Sequence, residues 1–334
     1  MKRFADRVTI NDVALLAEVS KTTVSHVLSG KRPVALATRG RVERAISQLG
    51  YRPDGLARSL RTRRTHMVAL LIPDITNPFY PLLARGLDDG TKGSYRTFIC
   101  NTDGRVDREL DFLEEVSDRR ADGIVLDSFT THPGRVASLV PQGIPVVQIG
   151  TTVVEDPGFD TVHSDDSHGA FAAVTHLLER GHRRVGMIQG PPGGGGRRND
   201  GYLRALQTAG LPHDPRLIES GEWTRSGGLR AARKLLDSPE KPTAIFCAND
   251  LMALGAMSAA AEAGLEVPRD LALVGFDDID AAAMVAPALT TVSNLAYETG
   301  LLAGVLLRER MTGRYIDQPR TVTLPCRLVV RATT

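Results

Sequence analysis

The chain has 334 residues, of which 42% are hydrophobic and 24% are charged. This length fits two or three domains, and the composition excludes an intrinsically disordered chain. The net charge of +2 is unevenly distributed, since residues 1–64 hold 14 Lys and Arg against 5 Asp and Glu, whereas residues 65–334 hold 27 against 34. A basic N-terminal segment on an acidic body is typical of a nucleic-acid-binding module attached to another domain.

The cysteines and the apolar segments bear on metal binding and on location. Cys100, Cys247 and Cys326 lie far apart and match no zinc-binding spacing, so we expect buried, reduced thiols. The sequence MKRFADRVTI lacks the apolar segment of a secretory signal, and no stretch approaches the ~18 apolar residues of a membrane span. We therefore expect a cytoplasmic protein.

Residues 9–29, TINDVALLAEVSKTTVSHVLS, have the spacing of two short helices joined by a tight turn. The helical period predicts inward-facing side chains at Val13, Leu16 and Ala17 of the first helix (12–18) and at Val24, Val27 and Leu28 of the second (21–28). Ser20 is placed to cap the second helix. Its outward positions carry hydrogen-bond donors and no negative charge, namely Lys21, Thr22, Ser25 and His26. Such a surface suits the major groove of DNA, and an ordinary helical hairpin is the alternative.

The next segment predicts a third helix and then a linker. Residues 38–50 form an amphipathic pattern that ends at Gly50, a suitable C-cap. The sequence Tyr51-Arg52-Pro53 breaks this pattern. Asp54 could cap a short helix, GLARSL, ahead of the basic residues 61–64, and a plain linker is the alternative, because so short a helix containing Gly55 is unstable by itself.

From residue 66 onward, short apolar runs alternate with helical segments around 79–92, 107–120 and beyond. The runs are MVALLI (67–72), RTFICN (96–101), DGIVLD (122–127) and PVVQI (145–149), and then RVGMIQ (184–189), TAIFCA (243–248) and LALVGF (271–276). This alternation predicts parallel strands with crossover helices in two α/β lobes.

Polar and aromatic side chains follow the ends of these predicted strands, where ligands bind in such folds. They are Asp74, Asn77, Phe79, Asp127, Arg198, Trp223, Asn249, Asp250, Asp277, Asp278 and Asn294. A sugar suits this set, because an indole stacks on its C–H face while Asp, Asn and Arg bind its hydroxyls. The structural alternatives are helix caps at Asp250 and Asp278, a turn at Asn249 and a core position for Trp223.

Five ordered motifs, which together cover nearly the whole chain, resemble the LacI/GalR family of bacterial transcriptional repressors. They are TINDVALLAEVSKTTVSHVLSG, GYRPDGLARSLRTRRT, MVALLIPDITNPFY, PTAIFCANDLMALGA, and LVGFDD followed by PALTTV. The resemblance implies an all-α helix-turn-helix DNA-binding domain (1–51), a hinge helix or linker (52–65) and a periplasmic-binding-protein-like α/β core (66–334) of two doubly wound parallel-sheet lobes. It places about 66–165 and 294–326 in the first lobe, and about 166–293 and 327–334 in the second.

The resemblance also implies residues that contact operator DNA. Lys21, Thr22 and His26 match base-reading positions, and Ser20, Thr23 and Ser25 match positions near phosphates. Leu60 matches the hinge side chain that wedges between base steps in the minor groove, with Arg58 and Arg61 beside it. Glu18 holds a turn position often occupied by Gly or Asn, which predicts a left-handed backbone there.

For the core, the resemblance implies effector binding by Phe79, Asp127, Arg198, Trp223, Asn249, Asp277 and Asn294. A sugar is the first choice of effector, and a nucleoside or purine is the alternative. Gly150 falls where some sugar-binding relatives carry Asp, so the hydroxyl pattern that is read can differ.

The predicted function is transcriptional repression by a homodimer on a pseudo-palindromic operator, with DNA affinity controlled by the bound small molecule. Only four residues follow Val330, too few for a leucine-heptad tail that would form tetramers. We expect no cofactor, no metal and no catalysis, since HExxH, G-x-S-x-G and Walker A motifs are absent and the adjacent Asp277 and Asp278 should point apart. A transport solute-binding protein is the other alternative, but it leaves the basic N-terminal segment unexplained.

Overall fold

The computed structural model of the chain describes residues 8–30, 32–51, 64–116, 118, 121–128, 136, 143–150, 158–191 and 196–334. The chain divides into two compact units, Met1–Thr65 and His66–Thr334. The predicted hinge contacts Arg58, Leu60 and Arg61 lie outside the described residues.

In its described residues the N-terminal unit has three helices, α1 (Ile10–Leu16), α2 (Lys21–Ser29) and α3 (Leu36–Leu49), as predicted. Two of its predicted core positions are wrong, because Leu16 is 43% exposed and Leu28 is 38% exposed. The predicted core positions Val13 and Ala17, the C-cap of α1, are buried, and Ala14 is buried as well. At about 100° per residue, Leu16 lies on the far side of Val13 from Ala14, so a core centred near Ala17 leaves it at the rim.

Local hydrogen bonds set the limits of these helices. The amide and hydroxyl of Thr9 both donate to Asp12 Oδ2 at 2.8 Å, which fixes the start of α1. Ser20 Oγ accepts from the Thr23 amide at 3.1 Å, confirming Ser20 as the N-cap of α2. Glu18 has φ 53°, so the predicted left-handed turn is confirmed, and Gly50 ends α3 at φ 60°.

The second unit alternates strands and helices, as predicted. Its strands are β1 (Met67–Ile72), β2 (Arg96–Asn101), β3 (Gly123–Asp127), β4 (Val146–Ile149), β5 (Asp160–Ser164), β6 (Val185–Gln189), β7 (Ile218–Ser220), β8 (Ala244–Cys247), β9 (Ala272–Val274), β10 (Thr291–Ser293), β11 (Thr321–Leu324) and β12 (Arg327–Val329). Its helices are α4 (Phe79–Gly90), α5 (Val106–Glu115), α6 (Asp166–Glu179), α7 (Gly196–Thr208), α8 (Arg225–Asp237), α9 (Asp250–Glu262), α10 (Asp280–Met284) and α11 (Ala296–Thr312).

These strands form two parallel sheets and a short antiparallel pair. The first sheet has the order β11-β5-β4-β3-β1-β2, the second has the order β7-β6-β8-β9, and β10 pairs with β12. The sheets define two lobes, and the chain passes between them after β5, after β10 and after β11. The sequence patterns missed β5, β7, β10, β11 and β12, because these strands are short or carry polar residues.

Both faces of the first sheet are buried, as expected of a parallel sheet. One face of β1, with Val68, Leu70 and Ile72, packs on α4 and α11, while the opposite face packs on α5. The core of the second lobe lies around β6, β8 and β9, with α6, α8 and α9 against them. The three cysteines are buried and free, as predicted. None of the described helices is both long and apolar enough to cross a bilayer.

Candidate functional site

The exposed side of α2 carries the predicted DNA-contacting residues. Lys21 and Thr22 are exposed, and Ser25 and His26 are half-buried. The hydroxyls of Ser20 and Thr23 lie 2.9 Å apart at the start of the helix. Residues 19–30 contain no carboxylate, so the first turn of α2 combines helix-terminal N–H groups, hydroxyls and a lysine. This combination suits a DNA phosphate, with the following turn available to base edges.

The predicted effector-binding residues lie at or beyond strand ends of the core unit. Phe79 begins α4 after β1, and Asp127 ends β3, both in the first lobe. Arg198, Trp223, Asn249 and Asp277 belong to the second lobe. Asn294 follows β10, where the chain passes back to the first lobe. The charge of Arg198 acts to lower the pKa of Asp127, so the two groups lie near each other although they come from different lobes. We call this region the cleft.

Arg198 is the centre of the polar contacts in the cleft. Its Nε donates to Asp166 Oδ2 at 2.9 Å, and its Nη2 lies 3.3 Å from Asp277 Oδ1. Its Nη1 donates to the Ala248 carbonyl, and its guanidinium carbon lies 3.8 Å from the centre of the Phe276 ring. These contacts hold the guanidinium rigidly, with one face on an aromatic ring.

Asn294 and Asp277 form a second polar pair in the cleft. Asn294 Nδ2 donates to Asp277 Oδ1 at 2.9 Å, and both residues are buried. Asn294 Oδ1 is also buried, and within the described part of the chain it has no hydrogen-bond partner. A buried amide oxygen without a donor is destabilising, so this atom is suited to accept a hydrogen bond from a ligand hydroxyl.

Asn249 has a structural role that places Trp223. Its Oδ1 caps α9 by accepting from the Met252 amide at 2.8 Å, and its Nδ2 donates to the Trp223 carbonyl at 3.0 Å. Trp223 has φ 60°, and its ring lies so close to Gly190 that a Cβ there would be 2.2 Å from it. Asn249 is therefore the helix cap that the sequence analysis considered for Asp250, and it holds the backbone that presents the indole.

Two carboxyl groups of the cleft have raised pKa values. Burial raises the pKa of Asp127 to about 7, although the Tyr80 hydroxyl and the charge of Arg198 act in the opposite direction. Burial also raises the pKa of Asp277 to about 7, against the lowering effect of Arg198. Such shifts concentrate at functional sites, because ligand pockets keep charged groups away from water.

The adjacent Asp277 and Asp278 point apart, as expected. Asp277 binds Arg198 and Asn294, whereas Asp278 Oδ1 accepts from Arg331 at 2.6 Å. Asp250 is fully buried and accepts from Thr291 Oγ1 at 2.5 Å. Asp250 and Asp278 therefore connect elements of the second lobe.

Sequence reasoning missed three residues of the cleft. Asp166 follows β5, a strand that the apolar pattern did not reveal, and Tyr80 was overlooked beside Phe79. Phe276 was counted only as the end of an apolar run. An Asp-Asp pair ahead of a helix was the one available signal for Asp166. Among the described residues, no group of three or more His, Cys, Asp or Glu side chains could hold a metal ion.

Comparisons with known proteins agree with both parts of this arrangement. Residues 9–54 match the family model for bacterial regulatory proteins of the lacI family, and residues 174–334 match that for a periplasmic binding protein-like domain. The chain is 38% identical to catabolite control protein A of Priestia megaterium over 331 residues, which cover 98% of this chain and 99% of the relative. It is 35% identical to the transcriptional repressor CytR of Escherichia coli over 329 residues, 98% of this chain and 96% of the relative.

A solved structure shows the same architecture over the whole length. The transcriptional regulator CelR in complex with cellobiose has a TM-score of 0.75 and 32% identity, covering 98% of this chain and 100% of that chain.

Proposed function

This chain belongs to the lacI family of bacterial transcriptional regulators, and from that premise we propose that a neutral carbohydrate in the cleft controls its affinity for operator DNA. The protein acts as a repressor, binding the operator as a dimer through α2 and the predicted hinge. The relative CelR was solved with cellobiose, which supports a sugar as the class of effector.

The observation that carries this proposal is the chemistry of the cleft. It combines the half-buried aromatic residues Phe79 and Trp223, the buried acceptor Asn294 Oδ1, and carboxyls at Asp127 and Asp277. A pyranose offers apolar C–H faces to aromatic rings and several hydroxyl donors to acceptors of this kind. Gly150 leaves space beside Asp127, since a Cβ there would lie 4.0 Å from Asp127 Oδ1.

The charges of the cleft favour a neutral ligand over a sugar phosphate. Three acidic side chains, Asp127, Asp166 and Asp277, surround Arg198. The guanidinium already binds two of these carboxylates and a backbone carbonyl. A phosphate in the cleft would meet these acidic side chains and would compete with them for Arg198, which is unfavourable.

The control of DNA binding follows from the position of the cleft between two lobes. Asp127 comes from the first lobe, and Arg198 and Asp277 come from the second, so one ligand touches both. A ligand that binds one arrangement of the lobes more tightly shifts the population toward it, typically by ~1–3 kcal/mol of coupling. The predicted hinge, residues 52–65, connects this change to the DNA-binding unit.

A ligand screen with an operator-binding readout tests the proposal. Melting temperatures are measured with neutral mono- and disaccharides, the corresponding sugar phosphates, nucleosides and purines, because a ligand of the folded state raises the melting temperature. We expect a shift with a neutral sugar, and a change in operator affinity in a gel shift with the same sugar. A shift only with nucleosides or purines would instead establish the alternative effector class. No shift with any compound would contradict effector control by the cleft.

Asn294→Leu is the matched variant for this screen, because it removes the buried acceptor while keeping a side chain of similar size. We expect loss of the sugar-induced shift with the fold retained. Thr208→Val, at the exposed end of α7, is the control and should respond like the wild type.

A further inference from the structure

A basic hollow of about 310 Å³ lies on the first lobe and shares no lining residue with the cleft. Its lining includes four basic side chains and two hydroxyls: His66, Lys92, Arg308, Arg314, Ser94 and Thr312. Three segments meet there, namely the residue before β1, the turn after α4 and the end of α11. None of the lining residues is acidic, although residues 65–334 hold more Asp and Glu than Lys and Arg.

Arg308 differs from the other arginines around the end of α11. Arg310 and Arg320 both bind the buried Asp160, at 2.7 Å and 2.8 Å. Arg308 makes no ion pair in the described part of the chain, and its Nε and Nη1 are buried without a hydrogen-bond partner there. Buried N–H groups of a cation without an acceptor are destabilising, so this guanidinium is ready to bind an anion.

The helix dipole accounts for only part of this arrangement. Cations are favoured near a helix C-terminus, and α11 ends at Thr312, followed by the C-cap Gly313 at φ 70°. Two carbonyls near the end of α11 are nonetheless already bound, since Gly313 donates its amide to Arg310 O and Arg314 donates its amide to Glu309 O. Thr312 Oγ1 likewise bonds the Arg308 carbonyl at 2.8 Å. The dipole therefore explains why cations are tolerated there and supplies no acceptor for Arg308.

The other side chains around the hollow are available for a shared ligand. Within the described residues, Lys92 and Arg314 have no side-chain partner, and Ser94 is exposed at the rim. His66 lies against the ring of Tyr95, with centroids 5.8 Å apart. The backbone amide of His66 donates to Asp122 Oδ2 at 3.0 Å, and Asp122 is not among the residues that line the hollow.

We propose that this hollow binds the phosphate group of a small molecule, with Arg308 as the main anchor. A guanidinium matches two phosphate oxygens, and Lys92, Arg314 and the hydroxyls can contact the remainder. Arg308 lines a concave site, and this favours a compact anion over a DNA backbone, because duplex contacts are made by exposed basic side chains. The ligand is free phosphate or a phosphate monoester, which share this chemistry.

The experiment measures phosphate binding to the full-length protein by calorimetry and by melting temperature. Inorganic phosphate, a hexose phosphate and the parent hexose are compared at pH 7.5, with chloride holding the ionic strength constant. The variants are Arg308→Gln, which removes the charge, and Arg308→Lys, which keeps the charge and loses the paired donors. Arg269→Gln is the matched control, because Arg269 is exposed and paired with Glu266 and Asp270 in the second lobe.

We expect phosphate to raise the melting temperature of the wild type and of Arg269→Gln, and Arg308→Gln to weaken binding by about tenfold or more. The phosphate affinity of Arg308→Lys should lie between that of the wild type and that of Arg308→Gln. All variants should keep the wild-type circular dichroism spectrum. Tighter binding of hexose phosphate than of phosphate identifies a phosphate ester as the ligand, and equal binding identifies the free anion.

Three results would overturn the proposal. They are an equal shift with chloride at the same ionic strength, full phosphate binding by Arg308→Gln, and weaker operator binding by Arg308→Gln in phosphate-free buffer, which would make Arg308 a DNA contact.

Failure of the sugar proposal gives a different result. In that case neutral sugars do not change the melting temperature, whereas phosphate still binds. Binding of phosphate by Asp127→Asn with wild-type affinity shows that the cleft is not involved.

Discussion

Arg198 shows how one side chain stabilises a polar cleft. Its guanidinium contacts both Asp166 and Asp277. Without this cation, two carboxylates would lie together in a buried site. We predict that Arg198→Gln lowers the free energy of unfolding by about 3–5 kcal/mol, because the acidic groups lose their cation. Urea unfolding at pH 7.5 measures the change.

Arg216→Gln is the control, because Arg216 is exposed and paired with Asp214 and Glu240. This variant should change the free energy of unfolding by less than about 1 kcal/mol, and an equal loss in both variants would contradict the prediction.

Asp127 makes folding stability depend on pH. Its pKa is raised from 3.8 to about 7 in the folded protein, so between these values the folded state binds a proton that the unfolded chain has lost. Stability must therefore fall as the pH rises from about 4 to about 7. We predict that Asp127→Asn melts at a higher temperature than the wild type at pH 8, that this difference is roughly halved at pH 5.5, and that it disappears near pH 4. A difference that is independent of pH would show that burial of this carboxylate is not its cause.

At the scale of the single element, α2 is the helix to which DNA recognition is assigned. Lys21 is exposed on its first turn, next to the Ser20 cap. We predict that Lys21→Ala weakens operator binding by about 1–3 kcal/mol if it reads a base, or weakens all sequences equally and lowers the salt slope by about one if it binds a phosphate. Gel shifts at several salt concentrations distinguish the two. Lys234→Ala on the second lobe is the control, and unchanged binding by Lys21→Ala would remove α2 from the interface.

The pair of helices α4 and α11 approaches closely through glycines. A Cβ at Gly300 would lie 2.0 Å from the Leu83 carbonyl, and one at Gly86 would lie 2.0 Å from the Tyr297 carbonyl. We predict that Gly300→Ala lowers the free energy of unfolding of the core unit by about 1–3 kcal/mol or more, because the backbones of α4 and α11 must separate. Thermal unfolding checks this result. Gly196→Ala, at the start of α7 with open space around it, should leave stability unchanged or slightly higher.

At the scale of the whole molecule, the two functions should be separable by mutation. The hinge residue Leu60 is predicted to contact the operator, whereas the effector binds in the core unit. We predict that Leu60→Ala weakens operator binding by about 1–3 kcal/mol and leaves the sugar-induced rise in melting temperature unchanged. Gel shifts and thermal shifts on the same preparation measure both quantities. Loss of effector binding in this variant would contradict the separation.

Local signals in the sequence predicted much of this molecule correctly. The spacing around Ser20 and Gly50 placed three helices, and apolar runs such as MVALLI placed the buried strands of both lobes. Errors arose where burial depends on neighbours, as at Leu16 and Leu28, which the helical period alone places inside. Short strands with polar residues, such as β5, also escaped detection because they carry no apolar pattern.

The structure brings the predicted residues of the candidate site together, and their binding of an effector stays a prediction. The rule that ligands bind beyond strand ends identified Asp127, Arg198 and Asp277, because the carboxyl ends of parallel strands share one edge of a sheet. It did not reveal that Asn249 is a helix cap or that Asp166 binds Arg198. Those contacts join residues 3 to 32 positions apart through side-chain geometry that no periodicity records.

The sequence by itself determined the class of the protein, because helix caps, strand runs and charge asymmetry are local properties that each segment carries alone. The tertiary structure decided which polar groups are buried, which cations are paired and which are left without partners. Arg198, Arg308 and Arg310 are the same residue type on helices, yet Arg198 organises the cleft, Arg308 lines the basic hollow and Arg310 binds Asp160. Their difference arises from distant segments brought together by folding, since the energy of a buried charge depends on everything around it.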